Sequence, residues 1–154
     1  MHLDTILGPN SVRILAATSS KKRLFHELAD MAAARFDLPS DTVVEALLER
    51  EALGPTGVGH GIALPHARLP GLDRVSGLFV KLDKGLDFDA VDRMPVDLVF
   101  ALLAPANAGV EHLKALALVS RTMRERSLCA KLRANNDPDA LHAILTASET
   151  HQAA

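Results

Sequence analysis

Val96–Leu103 reads VDLVFALL, an apolar run rich in β-formers with only Asp97 to interrupt it. A run of that kind suits a strand covered on both faces, because a strand with one wet face would alternate apolar and polar residues. Extended to Ala106, the stretch carries Asp97 and Pro105 and falls well short of the roughly 20 residues that cross a bilayer. It therefore reads as a core segment, and nothing here suggests membrane insertion. Val75–Leu82 has strand character with Ser76 and Gly77 near its start, and Asp83-Lys84-Gly85 is a turn signal after it.

Helical patterns flank these strands. After a short Val12–Ala17 strand, Ser19 or Ser20 can cap a helix running to about Phe36, with Leu24, Phe25, Leu28, Met31 and Ala32 on its buried face. Pro39-Ser40-Asp41-Thr42 restarts the chain, and Thr42 with Glu45 forms a capping box for a helix ending near Arg50 or Glu51. Val110 to about Met123 returns to helical spacing, with Leu113, Leu116, Ala117 and Val119 as its apolar positions and His112 near its start. Asp137-Pro138 opens a last helix through about Leu145. Helices both before and after the strands predict an α/β (α+β) fold, a mixed central sheet flanked by helical layers. With 154 residues and 48% hydrophobic content, one domain over residues 1–154 is expected.

Composition narrows the function. A net charge of −2 and the lack of Trp and Tyr remove the field and the stacking platforms that nucleic-acid binding uses. Cys129 is the only cysteine, and Met1-His2-Leu3-Asp4 has neither the basic nor the apolar region of a signal peptide, which points to the cytoplasm.

The chemistry concentrates in Thr56-Gly57-Val58-Gly59-His60-Gly61-Ile62-Ala63-Leu64-Pro65-His66. Glycines leave amides open to an anion, and a histidine fixed behind Pro65 offers a neutral ring nitrogen near neutral pH. The pair suggests phosphate chemistry. The segment is not a nucleotide phosphate loop, because His60 and Gly61 stand where that loop needs Lys and Ser or Thr, and it follows a helix rather than a strand. It also lacks the third glycine of a dinucleotide fingerprint. His60, His66 and His112 with Glu111 would make zinc ligands only if the fold converged them. Taken singly, His66 also suits a satisfied strand-end histidine and His112 a partly exposed helical one. Arg50 reads either as a helix-end ion-pairing residue or as a phosphate clamp. Thr56 is either a hydroxyl donor to phosphate or a turn residue. Asp87, Asp89, Asp92 and Asp97 read as turn and strand-edge carboxylates, and His2, His26, His142 and His151 as solvated residues.

Together, Arg50-Glu51, the Thr56–His66 segment, Phe88-Asp89-Ala90-Val91-Asp92, Pro95-Val96-Asp97-Leu98, Pro105 and His112-Leu113 resemble the IIA component of the bacterial phosphotransferase system, in the fructose/mannitol and nitrogen-regulatory superfamily. The resemblance runs from about Ser20 to Leu145. It is nearest to the nitrogen-regulatory branch at Ser20-Lys21-Lys22-Arg23 and at Val96–Leu103. It implies the type-2 IIA fold and a phosphohistidine at His66, loaded by an HPr-type phosphocarrier protein, with His112 and Arg50 as active-site partners. It further implies phosphate support from Thr56, Gly57, Gly59 and Gly61, no metal or other cofactor, and regulatory protein targets or a IIB component as onward partners. Carrier, IIB-coupled uptake component, non-catalytic binding module and zinc hydrolase are the functions to separate. The sequence departs from the branch at His60, where Asn is usual, and at Ala67-Arg68, where Gly-Lys is frequent.

Overall fold

Val96–Pro105 forms the central strand of a six-stranded mixed sheet in a computed structural model, which describes the backbone of residues 1–153 and the side chains of residues 1–147. In chain order the elements are α1 (Leu3–Ile6), β1 (Val12–Leu15), α2 (Lys21–Phe36), α3 (Ser40–Ala52), β2 (Gly57–Gly59), β3 (Ile62–Ala63), β4 (His66–Leu69), β5 (Ser76–Leu86), β6 (Val96–Pro105), α4 (Val110–Met123), α5 (Arg126–Ala134) and α6 (Pro138–Ala153). The sheet runs β1-β5-β6-β3-β2, with β4 also on β6. β5 and β6 are antiparallel neighbours, β1 is parallel to β5, and β3 and β4 are both parallel to β6.

As the apolar run requires, β6 is covered on both sides. Val99, Ala101 and Leu103 pack with Leu24, Phe25 and Leu28 of α2 and Val43 and Leu47 of α3. Leu98, Phe100, Leu102 and Ala104 pack with α1, α4, α5 and α6 through residues such as Leu3, Val119, Leu132 and Leu141. The period-two alternation of a strand distributes one continuous apolar sequence between two cores.

Local signals hold at several ends. Ser20 Oγ accepts from Arg23 N at 3.0 Å to cap α2, and Asp137 Oδ1 accepts from Asp139 N at 3.3 Å ahead of α6. Other expectations are corrected. α3 starts at Ser40 with Pro39 at its cap and no side-chain cap bond, so Thr42 and Glu45 lie inside the helix and form no capping box. Asp83-Lys84-Gly85 is not a turn but part of β5. There Lys84 N donates to Ala16 O at 3.0 Å, and a register shift re-pairs Leu86 with Val96; pairing on both sides outweighs the local turn signal. Leu113 and Ala117 of α4 are exposed, and the buried face is His112, Ala115, Leu118, Val119 and Met123. α6 runs past Leu145 to Ala153. His142 is half-buried, its Nε2 3.0 Å from Leu7 O, whereas His2 and His26 are exposed; the His151 side chain lies outside the described residues. Among the described residues, no helix is long and apolar enough to cross a membrane.

Lys81, in the middle of β5 and only 5% exposed, ties the sheet to the end of α5. Its Nζ donates to Arg133 O at 3.0 Å, Asn135 O at 2.5 Å and Asn136 Oδ1 at 2.9 Å. A cation at a helix C-terminus satisfies carbonyls that have no helical partner and complements the helix dipole. Lys81→Met keeps the apolar stem and removes three charge-assisted bonds at once. It is expected to cost about 2–4 kcal/mol in urea unfolding; an unchanged midpoint would show that water replaces the ammonium without penalty.

Candidate functional site

The position of His66 follows from how its strand is laid down. Gly61 O accepts from Leu98 N at 3.1 Å and Pro65 O from Leu102 N at 2.9 Å, so residues 61–69 track β6 as one strand interrupted at Leu64-Pro65. His66, the first residue of β4, pairs with Leu102. Its Nδ1 lies 2.9 Å from Leu64 O, and Arg50 Nε donates to its Nε2 at 3.2 Å. A carbonyl only accepts and a guanidinium only donates. The two contacts therefore fix the tautomer: Nδ1 carries the proton and Nε2 carries a lone pair.

His112 enters from the first turn of α4, its ring centroid 5.6 Å from that of His66. It is 6% exposed, and its buried Nδ1 has no hydrogen-bond partner among the described residues. Burial lowers the pKa of both rings below the usual histidine value. At His66 the Leu64 bond partly offsets this, Arg50 reinforces it and Glu51 opposes it; at His112 His66 and Arg68 reinforce it. His66, His112, Arg50, Arg68, Glu49 and Leu53 line one open pocket of about 350 Å³, which carries cationic donors and two neutral imidazoles.

Arg50 is not the ion-paired helix-end residue of the alternative reading. Its Nη1 donates to Gly54 O at 2.9 Å while Nε reaches His66. Behind it, Glu51 organises the loop: its carboxylate accepts from Thr56 N at 2.9 Å, Thr56 Oγ1 at 2.5 Å and Lys21 Nζ at 2.9 Å, and Lys21 Nζ also lies 4.7 Å from the centre of the Phe88 ring. Thr56 thus spends its hydroxyl on Glu51. Glu51 was visible in sequence only as a neighbour of Arg50, and nothing in local spacing marks it as the acceptor that joins α2, α3 and the glycine segment.

That segment is a β-hairpin. Gly57–Gly59 and Ile62–Ala63 pair antiparallel, with Gly59, His60 and Gly61 at φ 101°, 58° and 80°. Gly61 has no room for a side chain, since a Cβ would stand 2.6 Å from Arg133 Nη2 and 2.7 Å from Asp97 Oδ1. Gly57 is packed against Ala90. Thr56, Gly57, Gly59 and Gly61 do not line the pocket of the histidine pair. His60 N donates to Asp92 Oδ2 at 2.9 Å and its carbonyl accepts from Arg133 at 2.8 Å. The zinc constellation is not assembled: among the described residues no three His, Cys, Asp or Glu side chains are placed to hold a metal ion. Asp87 and Asp92 bond nearby amides and Asp97 pairs with Arg133, the turn and strand-edge roles their sequence context suggested.

Comparison with known proteins places this geometry in a family. The family model for EIIA 2 of the phosphoenolpyruvate-dependent sugar phosphotransferase system matches residues 5–148. A nitrogen regulatory protein of Bradyrhizobium diazoefficiens is 43% identical over 145 residues, covering 94% of this chain and 95% of its own. The crystal structure of the nitrogen regulatory protein IIA-Ntr from Neisseria meningitidis superposes with a TM-score of 0.87 at 35% identity, covering 94% of this chain and 99% of that one. The same fold recurs, at 19% identity and a TM-score of 0.76, in the complex of the mannitol IIA enzyme with phosphorylated mannitol IIB from Escherichia coli, covering 92% of this chain and 99% of that one. The chain belongs to the phosphotransferase-system IIA family of type 2, in its nitrogen-regulatory branch.

The lowered pKa of the histidine pair has a sign. The unfolded chain takes up protons near pH 6.5 before the folded site does, so the neutral rings contribute stability above about pH 6.5 that is lost as pH falls through their depressed values. Urea unfolding between about pH 7.5 and 5 is expected to show a shallower fall in the His66→Gln/His112→Gln double variant than in the parent. Equal slopes would mean that the pair titrates as it does in water.

Proposed function

We propose that this protein is a histidine phosphoryl carrier of a regulatory phosphotransferase system, accepting phosphate on His66 from a histidine-phosphorylated HPr-type protein and acting on partners through its phosphorylation state. The supporting observation is the fixed tautomer: with Nδ1–H on Leu64 O, the Nε2 lone pair stands at the open pocket beside Arg50. In the transfer, a bond forms between His66 Nε2 and phosphorus while the phosphorus–nitrogen bond of the donor breaks, and the donor ring leaves with that electron pair. The Nδ1 proton stays in place. The Leu64 carbonyl then supports the positive charge that the imidazole gains.

Phosphoryl transfer of this kind asks the protein mainly for in-line positioning and charge stabilisation. Arg50 Nε moves from the lone pair to a phosphate oxygen, His112 supplies a ring donor, and Arg68 adds positive potential. Thr56 works indirectly, by anchoring Glu51 behind Arg50. The hairpin glycines, which do not line the histidine pocket, support the phosphate site from behind by letting the β2–β3 turn close. Exposed Leu53, Val110 and Leu113 lie in or beside this site on α3 and α4, an apolar rim on which a carrier protein can seat. No metal or nucleotide is needed, because a phosphohistidine donor already has high transfer potential.

Residues 1–154 act as one such domain in the bacterial cytoplasm, signalling through charge: phosphate adds negative charge and acceptor oxygens at the pocket mouth and changes which surface is complementary. A IIB subunit is the second acceptor to consider, since a IIA protein of this fold forms such a complex.

The test is intact-protein mass spectrometry after incubation with phosphoenolpyruvate, enzyme I and HPr, under conditions that preserve phosphohistidine. One phosphate is expected on the parent and none on His66→Ala, while Arg50→Ala and His112→Ala are expected to load roughly 10–1000-fold more slowly. Normal labelling of His66→Ala would falsify the assignment. A parent that stays unlabelled beside a labelled control IIA would favour a docking module without phosphate turnover.

A further inference from the structure

A larger pocket, of about 590 Å³, lies where the β2–β3 hairpin meets the C-terminal end of α4 and the start of α5. Ile62, Leu64, Met123 and Cys129 give it an apolar floor, and Arg124, Arg126 and Arg133 give it a cationic rim beside His60; among the described residues no Asp or Glu lines it. Arg133 is already committed, forked onto Asp97 at 2.8 and 2.9 Å. Arg124 and Arg126 are exposed, and among the described residues their guanidinium groups have no hydrogen bond or ion pair. Arg126 is also in an electrostatically unfavourable place. It is the first residue of α5, where Glu125 at the N-cap is the one acid and the first turn itself holds none, and a cation there adds to the positive end of the helix dipole.

His60 adds a third observation. It lines the same pocket while held at φ 58° between two glycines, a conformation that costs a non-glycine residue energy and persists where surrounding bonds enforce it. Those bonds come from Asp92 and Arg133. A concave apolar surface with a few converging polar groups is the ordinary form of a small-molecule site, and here the converging groups are three guanidinium groups, the His60 ring and the Ser120 hydroxyl.

We propose that this pocket binds a small amphipathic organic anion, its apolar body on Ile62, Leu64 and Met123 and its acidic group between Arg124 and Arg126. The site is linked to the histidine pair through one residue. The Leu64 side chain is part of the pocket floor, and the Leu64 carbonyl holds His66 Nδ1. A ligand that shifts Leu64 shifts the bond that sets the His66 tautomer.

The experiment uses the full chain and 8-anilinonaphthalene-1-sulfonate, an apolar ring system with one acidic group, followed by fluorescence and by amide and imidazole NMR. The expected result is one saturable site per chain, with amide shifts centred on Ile62, Leu64 and Ser120, and at least about tenfold weaker binding of the uncharged N-phenyl-1-naphthylamine. Arg124→Gln/Arg126→Gln changes only exposed side chains and is expected to weaken sulfonate binding about tenfold or more. Arg121→Gln, in the last turn of α4 but outside the pocket, leaves it unchanged. Saturation is expected to move the His66 ring nitrogen resonances in the parent and not in the double variant. Absence of saturable binding, equal affinity for the uncharged analogue, or parent-like binding by a folded double variant overturns the site; unmoved His66 resonances overturn its link to the histidine. None of these readouts involves phosphate transfer, so they stand or fall apart from the role proposed for His66.

Discussion

Residues 61–69 lie parallel to β6 in two pieces, with Leu64-Pro65 as a corner between them, and the chemistry of the site depends on that broken pairing. The carbonyls of Gly61 and Pro65 are given to β6 amides, while the carbonyl of Leu64 turns toward the ring two residues ahead of it. Had the strand run unbroken, Leu64 O would lie in the regular alternation of a sheet and His66 Nδ1 would need another acceptor. Proline suits the corner because its fixed φ narrows the approach of the next residue and it offers no amide to the ladder. The proton on Nδ1 follows from this backbone arrangement, and the lone pair it leaves on Nε2 is met by Arg50 from the end of α3.

The electrostatics of the site rest on a division of labour between Arg50 and Glu51. These adjacent residues leave the end of α3 for different surroundings: Arg50 goes to the histidine and to Gly54 O, and Glu51 to Thr56 and Lys21. Glu51 is nearly buried, with 6% of its side chain exposed. A carboxylate so placed needs its full set of donors, and it has an ammonium, a hydroxyl and an amide. With that charge compensated behind the pocket, the guanidinium of Arg50 remains available at its mouth, where a dianionic group would meet it.

Much of the architecture was legible in residues with strong local chemistry. The apolar run of β6, the Ser20 cap and the Asp137-Pro138 start each express a constraint that the fold did not override. The failures occurred where pairing partners outvoted local preference. Asp83-Lys84-Gly85 stays in β5 because Ala16 and Val96 supply partners on both sides. The glycine segment becomes a hairpin because Asp92, Asp97 and Arg133, 32 to 73 residues away from His60 or Gly61 along the chain, enclose its turn. α5 was missed because nine residues with three basic side chains give a weak periodic signal, although Leu128 and Leu132 sit one turn apart on its buried side. At the site, Pro65-His66 was legible from composition and order. His112 was legible through the family resemblance and not through spacing, since only the crossing of α4 over β6 brings a helix-start histidine to within 5.6 Å of a strand-start one.

α4 spans 14 residues, about 20 Å at the usual rise, and its two ends serve different surfaces. His112 stands in its first turn beside His66, while Ser120 and Met123 in its last turn and Arg124 just past its end stand at the cationic pocket. The side of the helix between them is packed into the core through Ala115, Leu118 and Val119. The route along the helix therefore runs through about three turns of packed side chains. The shorter connection is the strand: Leu64 stands two residues from His66, with its side chain in one pocket and its carbonyl at the other. A residue placed in this way lets the occupancy of one site alter the hydrogen bond that governs the other without any rearrangement of the fold.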